Sequence, residues 1–170
     1  MKDYGGKVRV VYKNLVIHPD TALPGHLANC AAGNQGKFME FKKAFWDKAW
    51  TPYSQTRDAS KMGPAAMEAL AAELGLNMDK FKADMNGKDC MARMEADAAE
   101  LQKFGVGGTP SFFINGTSLP GMSEAQFKQI IDQKLKEAEA SGIPAEEYYQ
   151  KAIMEKGEKK FRSKLDPKPS

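Results

Sequence analysis

The sequence is poor in the features that mark metal-binding, membrane-spanning and nucleic-acid-binding proteins. Its 170 residues include only 2 cysteines and 2 histidines. They form no CxxC, CxC or Cys/His cluster, which excludes a zinc knuckle and a self-contained redox motif. No apolar run approaches the roughly 20 residues that span a bilayer, and no signal-peptide core follows the opening MKDYGGK. The net charge of +3 is spread among mixed charges, so we expect no nucleic-acid partner.

The remaining composition is that of one ordinary globular domain, with 42% hydrophobic and 28% charged residues and no internal repeat. The alternating KVRVVYKN (7–14) predicts a strand. From Pro19 to about Asp84 the pattern is helical, and we expect breaks at Pro24-Gly25, at TPYSQT (51–56) and at Met62-Gly63.

Helical spacing predicts which side chains form the core of this region. Pro64 suits the first position of a helix and Gly75 its end, and further helices are predicted at about 78–85 and 88–104. The predicted core residues are Phe38, Phe41, Phe45, Trp46, Met67, Leu70, Ala71, Leu74, Met91 and Met94.

The stretch GVGGTPSFFING (105–116) predicts a β-hairpin. A short strand at Ser111–Ile114 would turn at Asn115-Gly116 and return at Thr117–Leu119. Capping-box spacing at Ser123 then predicts an amphipathic helix. A last helix after Pro144 carries Tyr148 and Tyr149, which we expect to pack this helix on its neighbour, with a self-association surface as the alternative. The end DPKPS is expected to fray.

Pro110 stands directly before the first hairpin strand. A proline there has no amide to donate, and a cis bond before it would turn the backbone sharply and leave a carbonyl and an amide facing solvent. Glycines at 105, 107 and 108 would let the chain arrive by a path that side chains obstruct. Taken alone, Thr109-Pro110 favours a trans bond, because about 5% of X-Pro bonds in folded proteins are cis.

The order of strand, long helical region, GVGGTPSFFING and capped helix resembles the DsbA-like branch of the thioredoxin superfamily, as do the His-Pro and NQGKFMEF segments. The resemblance covers roughly 4–136. It implies an α/β thioredoxin-like fold over 1–140 with a helical insertion at about 19–87, followed by a C-terminal helix and tail at 141–170. It also implies a cis-proline loop at Gly108, Thr109 and Pro110 that binds the substrate backbone, and a periplasmic or otherwise extracytoplasmic location.

That family places its catalytic CxxC at the start of a helix, after a strand, immediately before the segment that KVRVVYKN resembles. This chain contains neither, so no catalytic residue is assigned and we expect the CxxC to lie upstream of Met1. Gly5-Gly6 resembles a helix C-cap that lacks its helix. We therefore expect a truncated chain, with its vacant strand position filled by a longer protein, a partner fragment or a second copy.

The cysteines and histidines leave alternatives open. Cys30 and Cys90 either pair in an oxidising compartment or are buried small hydrophobes, and we favour the second because helical cysteines rarely meet the narrow Cα separation of a disulfide. His18 and His26 have no metal-ligand spacing, so turn and surface roles are expected. Cys90 with Met91 and Met94 would suit copper(I), but core packing is the favoured reading of the methionines.

Three functions remain under consideration. The first is a thiol:disulfide oxidoreductase acting on protein or peptide thiols and disulfides, inactive in this chain without its CxxC. The second is a non-catalytic peptide-binding or assembly module, and the third is a copper-handling protein. No cofactor and no resident metal are expected.

Overall fold

The computed structural model describes residues 2–119, 121 and 123–157, which divide into two compact units. The first unit comprises residues 1–12 and 100–170, and the second residues 13–99. The predicted frayed end at 158–170 lies outside the described residues. The bounds of the α-helices and strands are α1 Pro19–Gly33, α2 Phe38–Phe45, α3 Thr51–Thr56, α4 Pro64–Glu73, α5 Met78–Asn86, α6 Lys88–Lys103, β1 Phe112–Ile114, β2 Thr117–Leu119, α7 Glu124–Ala140 and α8 Ala145–Tyr148.

The second unit is helical, and α1 packs against α2, α4 and α5. Several predictions about its elements are confirmed: α4 begins at Pro64 after a break at Gly63, and Gly75 takes the positive φ of a helix end. The predicted helices at 78–85 and 88–104 are α5 and α6. The buried side chains of the core are Ala28, Ala31, Ala32, Phe41, Ala49, Met62, Met67, Leu70, Ala71, Leu76, Phe81 and Met85.

Two of the predicted helix breaks are wrong. Helix α1 runs unbroken through Pro24 and Gly25. Residues Trp46–Trp50 form a π-helical turn that continues into α3, with the Thr51 amide donating to the Trp46 carbonyl. Wider turns of this kind accommodate a residue without an amide donor, so Pro52 lies in the first turn of α3 without interrupting the helical path.

The aromatic prediction is confirmed in part. Phe41 is fully buried and its ring contacts that of Phe81, with centroids 6.0 Å apart. The prediction that Trp46 belongs to the core is wrong, since 48% of this residue is exposed. Its ring instead stands edge-on to that of Trp50, with centroids 5.7 Å apart, so aromatic contacts along the helix surface account for its spacing.

In the first unit, β1 and β2 form an antiparallel hairpin with Phe112 opposite Leu119 and Ile114 opposite Thr117. The turn residues Asn115 and Gly116 both have positive φ, as predicted. Helix α7 begins with the predicted capping box, in which the Ser123 hydroxyl accepts from the Gln126 amide. It packs against β1, where the rings of Phe112 and Phe127 lie 4.8 Å apart.

The predicted strand at 7–14 is wrong. No residue in it belongs to a strand, and Val10 and Val11 are 48% and 57% exposed. A strand requires a hydrogen-bonded neighbour, and among the described residues the sheet consists of β1 and β2 alone. The alternating side chains are therefore compatible with a strand, but residues 7–14 have no strand to pair with among the described residues.

Side-chain contacts, and not strand pairing, hold residues 4–9 against the rest of the first unit. The Tyr4 hydroxyl donates to Asp132 at 2.8 Å, and Lys7 pairs with Glu139 at 2.8 Å, both on α7. The Arg9 guanidinium lies over the ring of Tyr149, 4.4 Å from its centroid. Tyr149 thus packs on a neighbouring segment, as predicted, although it is 37% exposed.

Candidate peptide-binding corner and the disulfide

The candidate binding site begins where α6 ends. Gly105 has a φ of +68°, and the Val106 amide donates to the Leu101 carbonyl, so the chain turns sharply away from the helix. Side chains added at Gly107 and Gly108 would meet nothing within 4 Å. The expectation that these two glycines avoid obstruction is therefore wrong, and only Gly105 among the three is required by its backbone conformation.

The corner itself, Gly108–Ser111, lies at the surface. The peptide bond between Thr109 and Pro110 is cis, and Thr109, Pro110 and Ser111 are all exposed. The Ser111 hydroxyl donates to the Gly108 carbonyl at 2.7 Å, which closes the loop on itself. A carbonyl oxygen has two lone pairs, so Gly108 can still accept a second hydrogen bond.

The corner leads into β1, whose outer edge has no neighbouring strand among the residues that the structure describes. In a two-residue hairpin the residues flanking the turn exchange both hydrogen bonds, and the next pair does not. Phe113, opposite Ser118, is the non-bonded residue of β1. Its amide and carbonyl therefore face the outer edge, next to the corner, where an extended backbone can bind them.

The aromatic side chains of β1 flank this edge. Phe113 is 43% exposed and its ring meets that of Phe104 edge-on, with centroids 6.5 Å apart. Phe112 is 36% exposed. Apolar surface beside unpaired strand backbone favours an extended peptide that carries apolar side chains.

The two cysteines are not arranged as a CxxC pair. Cys30 and Cys90 form a disulfide, with sulfurs 2.10 Å and Cα atoms 5.9 Å apart. The favoured interpretation of two unpaired cysteines is therefore wrong. The last turn of α1 lies beside the first turn of α6, a proximity that depends on the packing of the helical unit. The sequence indicates one part of this arrangement: Gly87 ends α5, so Cys90 lies at the start of the next helix.

The disulfide also removes the basis of the copper interpretation. A copper(I) site of this kind needs a thiolate, and neither sulfur of the pair is free. Within the described residues no three His, Cys, Asp or Glu side chains cluster as metal ligands. Met94 is buried and Met91 partly buried, in agreement with core packing.

The two histidines differ. His18 is exposed, just before α1, whereas His26 is partly buried and its Nδ1 lies 3.2 Å from Asn14 Oδ1. Burial lowers the pKa of His26 below its usual 6.5. The Asn14 side-chain amide donates to Asp97 at 3.0 Å. This chain of contacts ties the segment before α1 to α6.

Within the part of the chain that the structure describes, no helix has the length and apolar character needed to cross a membrane.

Comparisons with known proteins agree with the architecture. The family model described as thioredoxin matches residues 1–133. The chain is 24% identical over 110 residues to a probable disulfide bond formation protein D of Bacillus cereus, covering 62% of this chain and 50% of that protein. It is 32% identical over 123 residues to a Na(+)/H(+) antiporter NhaA of Herminiimonas arsenicoxydans, covering 72% of this chain and 18% of the antiporter.

A second antiporter, NhaA 3 of Salinispora tropica, is 31% identical over 115 residues, which are 64% of this chain and 16% of the relative. The chain thus spans less than a fifth of the length of these antiporters and half of the disulfide bond formation protein. The match to the family model covers most of the chain and includes the hairpin and its corner. This chain belongs to the thioredoxin superfamily, as a DsbA-like member.

Proposed function

We propose that this chain is the client-binding part of a DsbA-like thiol:disulfide oxidoreductase that acts on extracytoplasmic proteins. The observation that carries the proposal is the exposed corner at Gly108–Ser111, which leads directly into an unpaired strand edge. An extended client segment would bind along this edge through backbone hydrogen bonds to Phe113. Thr109 and Pro110 would contact the client backbone next to its reacting sulfur.

The reacting cysteines, in this proposal, belong to residues outside this sequence. A thiolate there would attack or release a client sulfur, and its partner cysteine would complete the exchange of two electrons. Cys30 and Cys90 are not assigned that role in this proposal, since they are 60 positions apart in the sequence and do not form a CxxC. We therefore propose that the chain as given is inactive in thiol–disulfide exchange with protein clients.

An extracytoplasmic location is supported by that same disulfide. Disulfides persist in oxidising compartments and are rare where glutathione and thioredoxin keep thiols reduced. The name of the Bacillus cereus relative, a disulfide bond formation protein, supports the same setting for the chemistry.

The client-binding step can be tested on the chain alone. Fluorescence anisotropy would measure binding of fluorescein-labelled insulin B chain with blocked cysteines. Phe113→Pro removes the outward amide of β1, and we expect it to weaken binding about fivefold, the value of one hydrogen bond. Phe113→Ala controls for the lost ring. Ser118→Pro removes the equivalent outward amide of β2 and should leave binding unchanged.

Equal loss in the Phe113→Pro and Ser118→Pro variants would contradict binding at the β1 edge. Catalysis needs a second experiment, insulin reduction by the chain and by a version extended with the residues encoded upstream of Met1. We expect turnover only in a version that includes a CxxC. An extended chain that contains a CxxC and still shows no turnover would defeat the oxidoreductase proposal.

A second candidate function is a non-catalytic binding module. The antiporter matches favour it, because in each a stretch similar to this chain makes up less than a fifth of a much longer protein. Such a module would keep the peptide-binding edge and lack the sulfur chemistry. A stop codon directly upstream of Met1, with no CxxC encoded, would favour this candidate over the first.

In either case we propose that a further strand completes the sheet. The segment at 7–12 belongs to no strand or helix and exposes Val10 and Val11. A strand from outside this sequence or from a second copy would bury these side chains. Light scattering on the 18.7 kDa chain separates the two sources, since a mass of one chain excludes a stable second copy.

A further inference from the structure

The two residues of the Cys30–Cys90 disulfide differ in exposure. Cys90 has no exposed surface, whereas Cys30 is partly exposed. Thiol–disulfide exchange requires a thiolate to reach one sulfur of the pair. An incoming thiol can therefore approach Cys30, while the surrounding helices shield Cys90.

The positions of the two cysteines in their helices also favour attack at Cys30. Cys90 is the third residue of α6, in the first turn, where the free amides and the helix dipole stabilise a thiolate. Cys30 lies in the last turn of α1, where the dipole opposes negative charge. In an exchange reaction the negative charge develops on the leaving sulfur, and the helix dipole favours that charge at the position of Cys90.

A cation is within one helical turn of each cysteine along the sequence or through a hydrogen bond. Arg93, three residues after Cys90, donates from Nη1 to Asn34 Oδ1 at 3.0 Å, and Asn34 is four residues after Cys30. The guanidinium thus connects α6 to the residue that caps the C-terminus of α1. Asp84, which accepts from Asn34 and Lys80, and Asp89, beside Cys90, are the acidic groups nearby. Asp84 pairs with Lys80 at 2.8 Å, and the hydrogen bonds from Lys80 and Asn34 and the charges of Lys80 and Arg93 lower its pKa.

We propose that this disulfide is an exchange site for small thiols of the glutathione class, attacked at Cys30. The incoming thiolate bonds to the sulfur of Cys30, the bond between Cys30 and Cys90 breaks, and the electron pair leaves on Cys90 as a thiolate. The product is a mixed disulfide on Cys30. The reaction reverses when the Cys90 thiolate attacks Cys30 and expels the small thiol. This inference does not depend on the proposed client-binding function.

Peptide mapping of the native chain tests the direction of attack. The oxidised chain is treated briefly with reduced glutathione, quenched with acid and alkylated with N-ethylmaleimide. Cleavage after lysine and arginine places Cys30 in the peptide 14–37 and Cys90 in the peptide 89–93. We expect glutathione on 14–37 and N-ethylmaleimide on 89–93. Glutathione on 89–93, or reaction only after denaturant is added, would overturn the proposal.

A charge variant tests the leaving group. Arg93→Gln keeps a donor for Asn34 and removes the cation, and we expect adduct formation to slow about two- to fivefold, the effect of one charge near a helix end. Lys103→Gln removes one positive charge from the far end of α6 and serves as the control. Equal rates in the two variants would overturn the role assigned to Arg93 and the preference for Cys90 as leaving group.

Discussion

At the scale of single residues, Gly25 shows how close packing explains a residue that resembles a helix breaker. It is buried in the middle of α1, and a Cβ added to it would lie 2.5 Å from Cε2 of Phe45. Real Cβ atoms do not approach a ring carbon that closely. The glycine therefore allows the Phe45 ring to reach the backbone of α1, and this contact outweighs the helix propensity lost at a glycine.

We expect Gly25→Ala to destabilise the protein relative to Gly33→Ala. Alanine at 25 forces the half-buried Phe45 ring to move, at a cost of about 1–3 kcal/mol for an overpacked site. Gly33 lies in the same helix, and its added Cβ would be 3.4 Å from Phe38, an ordinary contact. Gly33→Ala should therefore gain up to about 1 kcal/mol of helix propensity. Urea unfolding of both variants measures the difference, and equal stabilities would contradict the contact with Phe45.

His26 gives the chain a pH-dependent contribution to stability. Its folded-state pKa lies below the usual 6.5 because burial disfavours the charged ring. The unfolded chain therefore binds the proton more readily, so stability is full above pH 6.5 and falls as the pH drops through the folded-state pKa. We expect His26→Gln to reduce this acid-side loss and exposed His18→Gln to preserve it. Thermal midpoints measured from pH 7.5 to about pH 5 provide the check.

At the scale of elements, the disulfide joins the last turn of α1 to the first turn of α6 across a separation of 60 residues. The helices between them, α2 to α5, lie inside this covalent loop. Cross-linking a loop of this length restricts the unfolded chain far more than the folded one. The bond therefore acts on the whole helical unit and not only on the two helices it joins.

We expect the double variant Cys30→Ser, Cys90→Ala to lose about 4 kcal/mol of unfolding free energy, the loop-entropy value for about 60 residues. Denaturant titration of the oxidised protein and of the variant measures this loss. Reduction of the native protein should have a similar effect and leave the variant unchanged. A variant as stable as the oxidised protein would show that the helical packing alone holds α1 and α6 together.

At the scale of the whole molecule, the core is unevenly distributed. The fully buried hydrophobic side chains among the described residues all lie between Ala28 and Met94, within the unit of residues 13–99. The unit of residues 1–12 and 100–170 contributes partly buried side chains, such as Phe104 and Phe127. Burial of apolar surface is the main favourable term in folding, so the two units differ in their capacity to fold alone.

We expect a fragment of residues 13–99 to fold by itself with a cooperative thermal transition, because it contains the buried core and the disulfide. A fragment of residues 100–170 should unfold without a cooperative transition, since none of its described residues is fully buried. Circular dichroism at 222 nm during heating distinguishes the two. A cooperative transition in the second fragment would contradict this division of stability.

Local patterns predicted much of the candidate site. The turn at Asn115-Gly116, the strands beside it, the end of α6 at Gly105 and the capping box at Ser123 depend on backbone conformations that a few neighbouring residues determine. The family resemblance added the expectation of a corner at Gly108, Thr109 and Pro110. The turn, the strands and the caps needed no knowledge of distant contacts, whereas the residues around Pro110 by themselves favoured a trans bond and the bond is cis.

The predictions that are wrong concern features that depend on residues distant in the sequence. Whether residues 7–14 form a strand depends on a neighbouring strand, and Gly25 remains helical because Phe45 packs on it. The pairing of Cys30 with Cys90 likewise depends on two helix ends meeting across 60 residues. By itself, then, the sequence determined the hairpin turn, most helix bounds and the capping box, since these follow from short-range backbone preferences. Only the tertiary structure decided the disulfide, the conformation of residues 7–14 and the position of the core, because these depend on which surfaces meet.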